Sequence, residues 1–257
     1  MDTLTNIKYA TDILIFSIDS RENPNCRELP NKYFSILLVK RNKEPFKDMW
    51  CLPGGYIKED ETSQQAAQRV LEKETNLTNT YLEQLYVFDD INRDPRHRTI
   101  STTYMALIDK NKIKDNLSED SKWFDIEINE NDKEINITLS NIDKINITIK
   151  KELINKPSNQ YLYHLINSNN IAFDHGLIIN KGIIELRNKA KNTDIIFNLM
   201  PSNFTIGELK QVYEIILNKK LISSAFRRVI SKKVKEIDEE IKTGGHRPSK
   251  KYQYKGE

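Results

Sequence analysis

Residues 55–77 read GYIKEDETSQQAAQRVLEKETNL, and two patterns run through them together. The first is apolar. Ala66, Ala67, Val70 and Leu71 fall at i, i+1, i+4 and i+5, and Glu74 follows at i+8. That stripe predicts a helix over residues 62–75 with one face turned to a core. The second pattern is charged. Glu61 stands six residues after Gly55 and Arg69 eight further on, and Glu72, Lys73 and Glu74 close the helix. Ahead of it lies Trp50-Cys51-Leu52-Pro53-Gly54. There Pro53-Gly54-Gly55 reads as a tight turn whose backbone can take a positive φ.

Outward from this helix the chain alternates. Residues 13–18, 33–39, 81–88 and 99–108 are rich in branched and aromatic side chains and read as strands. Residues 19–31 and 40–45 read as loops. Residues 124–149 alternate apolar and polar, with Ile126, Ile128, Ile135, Ile137, Leu139, Ile145, Ile147 and Ile149 in phase. Two or three antiparallel strands are expected there, with turns near residues 130–132 and 140–141. Residues 178–190 form a helix with Ile179, Ile183 and Leu186 inward and Arg187, Lys189 and Lys191 outward. Residues 205–217 and 223–236 read as two more helices, joined by the short Asn218-Lys219-Lys220-Leu221 connection of a helix-turn-helix. In the second, Phe226, Val229, Ile230 and Val234 are taken as inward. Residues 244–254 read as a basic loop running into a strand.

The spacing of residues 55–77 resembles the Nudix box, G-x5-E-x7-R-E-U-x-E-E-x-G-U with U bulky and apolar. Gly55, Glu61, Arg69, Leu71, Glu74 and Leu77 match it. Three positions depart. Val70 and Lys73 stand where the pattern has carboxylates, and Asn76 replaces the last glycine. The third is mild, because Asn tolerates the left-handed conformation that ends a helix. The other two are severe. The resemblance implies a Mg²⁺ held by the helix carboxylates against a substrate diphosphate, and a hard cation needs oxygen ligands. Val70 offers none, Lys73 brings an ammonium, and Glu72 points about 100° away from Leu71 around the helix. No catalytic residue and no cofactor are therefore expected; Mg²⁺ enters only if hydrolase activity survives.

Asn92-Arg93-Asp94-Pro95-Arg96-His97-Arg98 resembles the arginine segment of the ADP-ribose-type Nudix branch. The resemblance makes Arg93, Arg96 and Arg98, with Lys73, the effector-binding candidates, since guanidinium forks match diphosphate oxygens. A solvated basic loop is the plainer alternative. Further on, Ile171-Ala172-Phe173-Asp174-His175, Leu186-Arg187-Asn188-Lys189, residues 197–228 and Gly245-His246-Arg247-Pro248-Ser249 look like the NrtR group of Nudix-related transcriptional regulators. The likeness is weakest over about 129–168, which reads as an insertion. It implies an α+β chain: a Nudix α/β/α sandwich with a mixed sheet over residues 1–192, with a linker helix at about 176–190, then a winged helix-turn-helix over 193–257. It further implies a homodimer that binds operator DNA and releases it on binding a small effector, ADP-ribose in the NAD branch and a sugar in others. His175 is expected to be a buried, hydrogen-bonded histidine without a catalytic role.

Charge is a further pointer to DNA, with a solvated helix face as its plainer alternative. Residues 219–257 hold twelve Lys and Arg against five Asp and Glu, a balance of +7 within a net +3, which leaves the first 218 residues at −4. A basic tail on an acidic body points to a polyanion. With Phe226, Val229 and Ile230 inward, Ser223, Ser224, Arg227, Arg228 and Lys232 face outward, where a recognition helix meets DNA. His246, Arg247 and Lys250 would sit on the wing. Three functions remain open: a nucleotide- or sugar-responsive regulator, an active hydrolase of ADP-ribose-type substrates, and a module for RNA or a protein. The few free aromatics argue against single-stranded RNA. Only Cys26 and Cys51 occur, so a disulfide framework is not expected and a reduced cytoplasm fits. The short apolar runs leave no membrane span, and residues 1–5 do not resemble a signal peptide.

Overall fold

The computed structural model describes residues 6–25, 28–113, 117–241 and 249–256. Its first strand explains the architecture. In β1 (Lys8–Arg21), Ile13, Leu14, Ile15 and Phe16 are all fully buried. A strand apolar on both sides needs cover on both faces of its sheet. Ile13 and Ile15 pack in one cluster with Ala67, Val70 and Leu71 of helix α1 (Ser63–Thr75). Leu14 and Phe16 pack in the other, with Ile179, Ile183 and Leu186 of helix α2 (His175–Asn192). The result is the expected α/β/α sandwich.

β2 (Asn31–Lys40) and β6 (Thr99–Leu107) flank β1, the first antiparallel and the second parallel, so the sheet is mixed. Two short strands, β3 (Trp50–Cys51) and β4 (Gly54–Tyr56), pair with β2 and β1, and β5 (Tyr81–Phe88) closes one edge beside β6. Beyond β2 the sheet continues through β7 (Ser121–Glu130), β8 (Glu134–Ser140), β9 (Lys144–Asn155) and β10 (Gln160–Ser168). The segment read as an insertion is thus a continuation of the same sheet, and its last strand, β10, escaped the sequence reading. Ile135, Ile137, Ile145, Ile147 and Ile149 of β8 and β9 are buried in the α2 cluster.

The C-terminal part consists of α3 (Ile206–Leu217), α4 (Ser223–Ile230) and the hairpin β11 (Val234–Ile241) and β12 (Ser249–Tyr254). Capping boxes open α1 and α3, at Thr62 with Gln65 and at Thr205 with Glu208. Asn76 and Asn218 close them in the left-handed conformation, at φ 55° and 51°, as the sequence predicted for Asn76. Leu209, Val212, Ile216, Ile230 and Val234 belong to the same buried cluster as Leu14 and Phe16. The winged helix therefore shares its core with the sandwich. Polar contacts reinforce the seam. Arg187 Nε donates to the Ile216 carbonyl at 2.9 Å, Asn218 Nδ2 donates to the Ile128 carbonyl at 3.1 Å, and Lys32 pairs with Glu208 at 3.2 Å.

Four expectations need correction. Gly54 and Gly55 lie in β4 without a positive φ; Gly54 is needed because a Cβ there would come within 2.5 Å of Asp12 Oδ1 and 2.6 Å of the Thr11 carbonyl. The helix expected over 223–236 ends at Ile230, and Val234 starts a strand. Val229 is 54% exposed, because an eight-residue helix with one buried side places only Phe226 and Ile230 on the core. Arg187 is tucked between α3 and Glu130 instead of facing outward.

Candidate functional site

A cleft of about 590 Å³ opens above the C-terminal end of α1. Its walls are the loop after β2 with Lys40, Arg41 and Lys43, the glycine strand β4, residues 93–96, and Phe173 with His175 at the head of α2. The Nudix-box residues take different stations around it. Arg69 Nε donates to Glu61 Oε2 at 2.8 Å and its Nη2 donates to the Tyr56 carbonyl at 3.3 Å, which fastens the loop to the helix. The Arg69 hydrogen bond, with the Lys58 N–H that also donates to this carboxylate, pulls the Glu61 pKa down to about 2. Val70 is 4% exposed within the α1 cluster and does not reach the cleft. Gly55, Lys73 and Glu74 do line it. Glu74 is buried; its Oε1 accepts from Lys73 Nζ at 2.8 Å and its Oε2 from Ser121 Oγ at 2.8 Å. Among the described residues no group of three or more His, Cys, Asp and Glu side chains is placed to hold a metal ion.

The arginines expected to bind the effector separate into three roles. Arg93 is buried and already engaged: Nε and Nη2 donate to Asp174 at 2.9 Å each, and Nη2 also reaches Asp12 at 3.1 Å. Its contact with the cleft is that of a buried strut. Arg96 is 39% exposed at the cleft, held by Asp94 through Nε at 3.0 Å and Nη2 at 2.8 Å. Arg98 does not line the cleft; it donates to the Asp89 carbonyl. Sequence reasoning missed Arg41, whose guanidinium lies 4.7 Å from the centre of the Phe173 ring, with Arg96 at 5.8 Å from the same ring. It also missed Asp12, which accepts from Ser101 Oγ at 2.7 Å as well as from Arg93. The signal was present: a carboxylate directly before the apolar run of β1 has to be paired to be buried.

His175 is buried as expected. Its Nδ1 accepts the Leu52 N–H at 2.9 Å, which leaves the proton on Nε2, 3.7 Å from Asp12 Oδ1. Burial lowers its pKa below 6.5 in spite of Asp12, so the folded ring is neutral where the unfolded one begins to charge. Stability from this site is complete above about pH 6.5 and is lost as the pH falls from there through the lowered folded value. In thermal melts from about pH 7.5 to 5, His175→Gln should flatten the acid-side fall in Tm. Parallel slopes in the two proteins would refute this role.

The second surface is α4. Ser223, Ser224, Arg227, Arg228 and Lys232 are all exposed, while Phe226 packs edge-on against Tyr213 with ring centres 5.4 Å apart. The turn before α4 is held by Glu214, which accepts the Leu221 N–H at 2.7 Å and pairs with Lys210. Lys250 lies on β12 and pairs with Glu236 of β11. His246 and Arg247 lie outside the described residues. No described helix is long and apolar enough to cross a membrane.

Comparison with known proteins bears on both surfaces. Residues 27–141 match the NUDIX domain family, and residues 196–254 match the family described as the NrtR DNA-binding winged helix domain. The chain is 29% identical over 248 residues to the ADPR responsive transcriptional repressor NtrR of Acinetobacter baylyi, covering 95% of this chain and 80% of that protein. A crystal structure of a MutT/nudix family protein from Enterococcus faecalis shares the fold at a TM-score of 0.72 and 23% identity, covering 99% of this chain and 89% of that one. Shewanella oneidensis NrtR, crystallised with a 27mer DNA, does so at 0.68 and 23% identity, covering 96% and 93%.

Proposed function

We propose that this chain, in which a NUDIX domain match is followed by an NrtR DNA-binding winged helix match, is an NrtR-type DNA-binding transcriptional repressor. Its cleft senses ADP-ribose or a related nucleotide of the NAD pathway. It acts in the cytoplasm as a homodimer, because one winged helix covers only a short half-site and useful affinity takes two. The observation that carries the reading is the exposed Ser223, Ser224, Arg227 and Arg228 face of α4, with Lys232 in the turn just after it, on a helix pair whose core is continuous with the sandwich. The Acinetobacter relative, named for its response to ADPR, supports the choice of effector.

The cleft binds without cutting. Two of the three helix positions that would present carboxylates to Mg²⁺ are Val70, sunk in the core, and Lys73, an ammonium. The remaining carboxylate, Glu74, is neutralised by Lys73 and hydrogen bonded to Ser121. One experiment tests both halves. The protein is bound to the DNA upstream of its own gene, then given ADP-ribose with Mg²⁺, and the nucleotide is chromatographed afterwards. DNA release with the nucleotide intact is expected. Release by a pentose but not by ADP-ribose would move the protein to a sugar-sensing role. Steady cleavage abolished by Glu74→Gln would make it a hydrolase.

A further inference from the structure

The cleft belongs to a domain type that places a divalent cation between helix carboxylates and a diphosphate, and the residues present do not fit that cation. Mg²⁺ demands near-octahedral oxygen ligation and is usually held by one or two free carboxylates together with substrate phosphates. In α1, positions 70, 73 and 74 are Val, Lys and Glu. Val70 lies one turn before Glu74 on the same side of the helix, but it is packed among Ile13, Ala67 and Leu71 and does not line the cleft. Glu74 is the one carboxylate left, and both of its oxygens are already taken, by Lys73 Nζ and by Ser121 Oγ, each at 2.8 Å. The charges of Lys73 and Glu74 cancel, so the helix itself presents no net negative charge to a cation at this spot.

The structure offers a different solution. Lys73 keeps 76% of its side chain exposed while its ammonium touches a carboxylate that is 5% exposed. An ammonium carries three donors, and Glu74 occupies one. The other two remain for oxygens in the cleft, which Arg41 and Arg96 also line.

We infer that Lys73 stands in for the metal: anchored on Glu74, its ammonium holds the effector's diphosphate, and the cleft binds that ligand without any divalent ion. The inference rests on the reading of the cleft as a nucleotide-diphosphate site and adds how the diphosphate charge is met.

The test is calorimetric titration of the full chain with ADP-ribose and, separately, with inorganic pyrophosphate, each in EDTA and in Mg²⁺. Wild-type affinity for ADP-ribose should agree between the two buffers. Lys73→Met should weaken it about tenfold in both, the worth of one charge-assisted hydrogen bond. Lys73→Glu should lose at least as much in EDTA and, with two adjacent carboxylates restored, gain affinity when Mg²⁺ is added. Loss of wild-type binding in EDTA overturns the inference, as does Lys73→Met binding like wild type. Arg96→Ala separates it from the reading it rests on. If Arg96→Ala weakens binding and Lys73→Met does not, only the role of Lys73 fails. If neither changes binding, or the wild-type chain binds neither ligand, the cleft is not the diphosphate site and both fail.

Discussion

Arg93→Ala should lower the melting temperature by roughly 10 °C, and Arg96→Ala, three positions along the same loop, should lower it by only about 2–4 °C. The contrast follows from burial. The Arg93 guanidinium sits between Asp12 and Asp174, with side-chain exposures of 5%, 11% and 12% for the three groups. Removing it strands two anions in a site with little water. Breaking a buried ion pair from one side costs about 3–5 kcal/mol, and each kcal/mol is worth about 2–4 °C in a chain of this size. Arg96 is 39% exposed, and its buried partner Asp94 keeps hydrogen bonds from the Arg96 N–H and the Thr99 hydroxyl, so losing this partly exposed pair should cost about 1 kcal/mol. If the loss in Arg93→Ala is stranded charge, adding Asp12→Asn and Asp174→Asn should return much of it, because neutral amides need no counter-charge. Differential scanning fluorimetry of the single and triple variants reads the answer. An Arg93→Ala protein that melts like wild type but no longer binds the effector would restore Arg93 to the ligand-gripping role expected from its sequence segment.

That segment shows where sequence reading reached and where it stopped. The α1 register was legible because Ala66, Ala67, Val70 and Leu71 repeat at helical spacing, and all four are buried. β1 and β2 were legible because continuous apolar runs admit few other fates. β10 was not: between Gln160 and Ser168 apolar side chains fall on both faces, Tyr161, Tyr163 and Leu165 on the half-buried one and Leu162 and Ile166 on the exposed one, so polarity does not alternate although burial does. The end of α4 was missed for a physical reason. Phe226, Ile230 and Val234 keep a four-residue spacing, so the apolar period continues while the backbone turns into β11. The arginine cluster was legible as chemistry but not as geometry. Arg93, Arg96 and Arg98 share one short loop, yet what divides them into strut, cleft wall and surface is the position of Asp12 and Asp174, which come from β1 and from the residue ahead of α2. Long-range pairing of that kind leaves no local trace.

The same division between core and surface decides how DNA binding has to be tested. Deleting residues 219–257 would remove Ile230 and Val234 from the shared core, so loss of binding in that truncation would only report unfolding. Point substitutions on α4 and in the turn after it avoid this, since Arg227, Arg228 and Lys232 are exposed. Arg227→Ala or Arg228→Ala should cost about 1–3 kcal/mol where the side chain reads a guanine edge, which is about tenfold to a hundredfold in affinity, and should relax the sequence preference. Lys232→Ala should weaken all duplexes alike and reduce the slope of log affinity against log salt by about one, the signature of one lost phosphate contact. A dimer adds a geometric demand: two α4 helices about 34–36 Å apart, and so a near-palindromic site with half-sites one turn apart. Fluorescence anisotropy against the DNA upstream of the gene, at several salt concentrations and with random duplex as competitor, measures all of these. If wild type prefers no sequence over random duplex, and Arg227→Ala and Arg228→Ala bind as it does, then α4 is not a recognition helix and the repressor reading falls with it.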